Sequence, residues 1–184
     1  MFKIYADTPK AWDGLVVLGT DNAPVKIKVF SSLTCPHCAN FHIKVVPEIK
    51  NKYVESGKVQ LIFIDFPLDQ AAFNASKLLH CLDQKKQIAF LDTIYENQDK
   101  WTIGTNINEI NNNLKKIVKN LEISSVQFDK CLNNKIIEDK IVNNRIDGHQ
   151  KYSINSTPTI IINEKKLEGS ASFKNIKKKI EKLI

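Results

Sequence analysis

Three short apolar runs stand out along the chain, at residues 25–30, 60–64 and 159–162, and each predicts a buried strand. Residues 14–18 add an edge strand. Between the first two runs, Phe41, Val45 and Ile49 fall on one face of a helix expected over about 36–53, which Pro47 should kink. Strand, helix, strand implies a parallel pair joined by a right-handed crossover. Between the second and third runs the apolar positions change to helical spacing: Ala71, Ala75, Leu78 and Leu82, then Ile88, Leu91 and Tyr95, then Ile107, Ile110, Leu114 and Val118, then Phe128 and Leu132, then Ile137 and Ile141. A sheet interrupted by a helical insertion follows. Residues 159–168 close the sheet as a hairpin whose second strand is expected at 166–168, and residues 173–184 add a last helix. The expected fold class is therefore α/β, with 1–66 and 151–184 forming one domain and 67–150 an inserted helical domain.

Composition narrows the function more than the fold. With 184 residues, 42% of them hydrophobic, one core with an insertion suffices. The net charge of +7 could point to nucleic acid, but only Arg145 of the 27 basic residues is arginine and aromatics are not interleaved with the lysines. We expect no nucleic-acid partner. In residues 173–183, Phe173, Ile176, Ile180 and Leu183 are at helical spacing, so the lysines between them form a solvated face. No run approaches a membrane span, and the opening MFKIYADTPK lacks the apolar stretch of a signal peptide. Export would require a signal or anchor segment absent from this sequence.

Chemistry concentrates at Cys35-Pro36-His37-Cys38, directly after the first buried strand and at the start of its helix. A sulfur there meets unpaired backbone N–H groups and the positive end of the helix dipole, which favours thiolate chemistry. A zinc site would need two further close ligands; His37 and His42 are near, but no second C-x-x-C or H-x-x-x-H is present, so no metal is expected. Covalent haem is excluded by Ala39, where C-x-x-C-H needs histidine.

Strand, C-x-x-C, strand, helical insertion, then Thr157-Pro158 leading into a hairpin and a terminal helix: this order, with the tetrapeptide and its flanks Ser31-Ser32-Leu33-Thr34 and Ala39-Asn40-Phe41-His42, resembles the DsbA family of bacterial disulfide oxidoreductases. Asn97-Gln98-Asp99-Lys100-Trp101 adds to the resemblance, which runs from Trp12 to Leu183. It implies a thioredoxin fold with an inserted helical domain, Cys35 as nucleophile, Cys38 as resolving thiol, and Pro36 and His37 as residues that tune the pair. It also implies a cis Thr157-Pro158 bond whose free backbone pairs with extended substrate. The implied protein is a periplasmic or otherwise extracytoplasmic monomer without a cofactor, acting on unfolded or reduced exported proteins and reoxidised by a membrane oxidase. An isomerase or reductase of the same fold is the nearer alternative, kept open by Thr157, since isomerases of the wider group often carry threonine there. A redox-inert peptide-binding or chaperone module is the further one.

Two positions depart from the family pattern. Members often carry a buried glutamate six residues before the first cysteine, where this chain has Val29, and an acidic residue four after the second, where it has His42. His42 is at i,i+4 from Cys38, so it either assists proton transfer there or is a hydrogen-bonded, partly buried histidine. Cys81 and Cys131 both fall on apolar stripes of the insertion. They are either buried free thiols or, as in some DsbA-like proteins, a second and structural disulfide.

Overall fold

A computed structural model describes residues 15–184; Trp12 and Gly14 lie outside the described residues. Strands β1 (Leu15–Leu18), β2 (Val25–Ser31), β3 (Val59–Asp65), β4 (Thr159–Ile162) and β5 (Lys165–Lys166) form one sheet in the order β1-β3-β2-β4-β5. Only β2 and β3 run parallel, in a register that sets Ser31 opposite Asp65. Alternation along the strands feeds two cores, as the pleat requires. Val25, Ile27 and Val29 join Ile49, Ile176 and Ile180 on one face, while Phe30, Ile62, Ile64 and Ile161 join Phe66 and Ile154 on the other.

The crossover helix α1 is continuous from Pro36 to Val54 but alternates in pitch: Pro36–Asn40 and Val46–Ile49 are α-helical, Phe41–Val45 and Lys50–Val54 π-helical. The first wide turn ends just before Pro47, whose missing N–H and crowded ring disfavour a normal turn. The expected kink is thus expressed as a change of pitch. Its buried side, including Phe41, Val46 and Ile49, covers the sheet.

Between β3 and β4 the chain forms α2 (Gln70–Cys81), α3 (Gln84–Glu96), α4 (Gln98–Trp101), α5 (Ile107–Lys119), α6 (Ser125–Leu132) and α7 (Lys135–Tyr152). Asp69, Asn106, Ser124 and Asn134 cap four of them with side-chain oxygens, which fixes where each begins. Trp101 is fully buried and donates its indole N–H to the Ile94 carbonyl at 3.0 Å. Helix α7 extends past residue 150 to close over the sheet, with Gly148 against the Phe30 ring.

The β4–β5 hairpin turns at Asn163 and Glu164, both with positive φ, the backbone of a two-residue hairpin loop. The second strand lies at Lys165–Lys166 rather than 166–168, although Leu167 still donates to the Ile160 carbonyl at 2.8 Å. The last helix, α8 (Phe173–Ile180), stops short of the expected residue 184. Among the described residues, no helix is long and apolar enough to cross a membrane.

Candidate active site

Strand β2 ends at Ser31, and four residues later Cys35 takes the N-cap position of α1 with extended backbone and no side-chain cap. Pro36 occupies the first turn, where a missing N–H costs nothing. The Cys35 carbonyl accepts from the N–H groups of Cys38 and Ala39, both at 3.1 Å, so the tetrapeptide is folded into the helix start. Three residues of the insertion hold this loop. Gln98 donates from Nε2 to the carbonyls of Leu33 at 2.8 Å and Cys35 at 3.2 Å. Thr34 donates its hydroxyl to Asp69 Oδ2 at 2.6 Å, and Leu68 N–H donates to Ser32 Oγ at 3.2 Å.

Cys35 and Cys38 are free thiols in different surroundings: Cys35 half-buried, Cys38 only 1% exposed. The Cys35 thiol donates to the Thr157 carbonyl at 3.4 Å, and the Thr157-Pro158 bond is cis. Burial pushes the Cys38 thiol up from its ordinary 9.0 to about 12, aided by the Cys35 charge; the Thr157 side chain and the Ser32 backbone pull the other way. The Thr157 hydroxyl is buried without a hydrogen-bond partner among the described residues. His37 is exposed.

His42 is buried, and its Nε2 pairs with Asp92 Oδ1 at 2.7 Å while its ring packs 4.9 Å from Tyr95 and 5.6 Å from Phe63. The Nε2 ring nitrogen of His42 is thus engaged by Asp92 rather than by Cys38. Cys81 and Cys131 are joined by a disulfide between α2 and α6, with Cα atoms 5.8 Å apart. Val29 is buried in the strand beneath the thiols, 1% exposed.

Sequence reasoning missed Gln98, Asp69, Asp65 and Tyr95. Gln98 was visible only as part of a familiar pentapeptide, and Tyr95 counted as one more apolar-stripe residue. Asp65 carried a signal: a carboxylate at the end of an apolar strand needs a buried partner.

A mixed five-stranded sheet crossed by a helix that begins at two cysteines of unequal exposure, beside a cis proline, defines a thioredoxin-fold dithiol centre. The thioredoxin family model matches residues 12–182. Over 169 residues the chain is 33% identical to a Bacillus anthracis protein described as probable disulfide bond formation protein D, covering 90% of this chain and 76% of that one. Among solved structures it resembles Wolbachia pipientis alpha-DsbA1, with TM-score 0.83, 32% identity and 92% and 90% of the two chains covered. It also resembles oxidised BdbD of Bacillus subtilis, with TM-score 0.75, 25% identity and 92% of each chain covered. The chain belongs to the DsbA-like branch of the thioredoxin family, and its activity is that of a thiol:disulfide oxidoreductase.

Proposed function

We propose that this protein donates disulfides to reduced, unfolded proteins outside the cytoplasm through the Cys35–Cys38 pair. The observation that carries the reading is the unequal burial of the two thiols, with the accessible Cys35 against the Thr157 carbonyl. In the oxidised enzyme a substrate thiolate attacks the Cys35 sulfur, the Cys35–Cys38 bond breaks, and a mixed disulfide forms. A second substrate thiol then attacks the substrate sulfur, which leaves with its disulfide and releases reduced enzyme. Thr157 and Pro158 offer main chain to an extended substrate, recognition that tolerates many side chains. Pro36 and His37 set the balance between the oxidised and reduced pair, and His42 supports the site through Tyr95. A membrane oxidase takes the two electrons back. The enzyme works as a monomer without a cofactor, residues 1–66 and 151–184 carrying the chemistry and 67–150 bracing it.

The test is oxidation of a reduced model protein beside refolding of a scrambled one. Wild type should oxidise the first efficiently, Cys35→Ala should abolish this, and Cys38→Ala should accumulate a mixed disulfide with the scrambled substrate, whose disulfides its lone Cys35 thiolate can attack. Unchanged oxidation by Cys35→Ala would sink the proposal, and far better rescue of the scrambled substrate would make the protein an isomerase.

A further inference from the structure

The β4–β5 hairpin and the end of α8 enclose a groove of about 420 Å³ at one end of the sheet. Ile162, Leu167 and Leu183 make the apolar part of its wall, and Leu183 is 46% exposed. Lys165 and Lys166 from the hairpin and Lys179 and Lys182 from the helix end stand around them, all exposed, and no lining residue is acidic. The two carboxylates next to these lysines in the chain are engaged elsewhere. Glu164 is held by Lys28, Lys151 and Tyr152, while Glu181 accepts from Tyr53 at 3.1 Å and lies 3.9 Å from Lys52 and 3.8 Å from Lys177. Lys165, Lys179 and Lys182 therefore have no ion-pair partner among the described residues.

The groove lies far from the thiols. In the hairpin turn, Asn163 donates its N–H to the Lys26 carbonyl at 3.0 Å and accepts from the Lys26 N–H through Oδ1 at 2.7 Å, which pins the turn to the first residues of β2. Cys35 follows the other end of that strand, and the steps from Lys26 to Ser31 span about 17 Å at the usual strand rise. A body seated on the groove leaves the dithiol centre open.

We propose that this groove docks the protein on an anionic lipid surface, with its lysine ammonium groups among the headgroups and Leu183 at the acyl boundary. Lysine suits that partner. Its ammonium is a point charge on a flexible apolar stem and settles into a fluid layer of negative headgroups, whereas fixed carboxylates of a protein are matched best by the forked guanidinium that the groove lacks. An exposed leucine beside unpaired lysines is the composition of a surface that lies in the membrane interface, where apolar burial adds to electrostatic attraction. Docked in this way, the protein turns Cys35 and Cys38 towards the aqueous phase.

Cosedimentation with vesicles tests the proposal at about 0.15 M salt, where exposed charges more than about 8 Å apart are largely screened. The protein should bind vesicles of mixed phosphatidylglycerol and phosphatidylcholine and should not bind phosphatidylcholine alone. Combining Lys165→Glu, Lys179→Glu and Lys182→Glu should weaken binding at least about tenfold, since one lysine near such a surface is worth about fivefold. Combining Lys44→Glu, Lys85→Glu and Lys130→Glu, exposed positions on α1, α3 and α6, changes the net charge equally and should weaken it much less. Leu183→Asn, which keeps every charge, should weaken binding several-fold. The substituted side chains of the groove are exposed, so each variant should oxidise a reduced model protein in solution at the wild-type rate; if the triple groove variant does not, Leu183→Asn decides. No binding to the mixed vesicles, equal binding to neutral ones, equal loss in the two triple variants, or wild-type binding by Leu183→Asn overturns the proposal. Tighter binding to polyglutamate than to the mixed vesicles also overturns it and assigns the groove to an acidic protein.

Discussion

Cys38 couples pH to stability. Its thiol titrates near 12 in the fold and near 9.0 in an ordinary setting, so the unfolded chain gives up this proton first. Stability from the neutral thiol is complete below about pH 9 and is lost as pH rises towards 12. In a Cys35→Ser background, the protein with Cys38 should lose about 1 kcal/mol more than Cys38→Ala between neutral pH and about pH 10. Urea midpoints at the two pH values measure it; equal losses would mean that Cys38 is more solvated than its burial indicates. At this scale the reacting residues were legible in the sequence because cysteine pairs and an X-Pro step carry their chemistry in their identity. Tyr95 and Asp65 were not, because their meaning lies in which distant side chains they meet. A tyrosine at helical spacing reads as core until His42 is seen packed on its ring and Ser31 and Asp65 in the wall of the same cavity.

Helix α7 shows how an element escapes a periodicity argument. Ile137 and Ile141 announce its first half, but residues 142–152 carry little apolar pattern, and the helix persists because Gly148 lets its backbone close on Phe30. A Cβ at Gly148 would stand 2.7 Å from that ring. Helix propensity favours Gly148→Ala by about 1 kcal/mol, whereas overpacking costs about 1–3 kcal/mol. We expect a net loss in urea unfolding; a gain would show that the helix can shift outward. The same helix is tied to α2 by Glu138, which accepts from Lys135 and from Lys77, a lysine whose side chain is only 7% exposed. These partners, Lys135 first, hold the Glu138 carboxyl at about 2, down from 4.5. The stabilisation is therefore present above about pH 4.5 and lost as pH falls towards 2. Glu138→Gln should cost about 1 kcal/mol at neutral pH, with the difference from wild type shrinking through that window. The pitch change in α1 lay half in view: Pro47 announced an interruption, while its π form depends on the helix staying pressed to the sheet.

For the whole molecule, element order was the legible part. A strand-helix-strand unit, a helical insertion and a closing hairpin leave few ways to complete one sheet. What holds the insertion together was harder to read, since cysteines on apolar stripes pack equally well apart. The Cys81–Cys131 bridge spans a sequence separation of 50, and in the chain-entropy model such a loop contributes about 4 kcal/mol. Replacing both cysteines with alanine should lower unfolding stability towards that amount, read from urea midpoints in the absence of reductant. A loss well below about 1 kcal/mol would mean that packing alone sets the insertion.

The sheet order also carries a consequence for biogenesis. Strand β4 pairs with β2, although the whole insertion separates them in the chain, and Thr157 enters just ahead of β4. A chain emerging from its N-terminus presents Cys35 and Cys38 long before the residues that shield the one and face the other. The reactive centre is therefore assembled only after the whole insertion has been made and β4 can pair with β2.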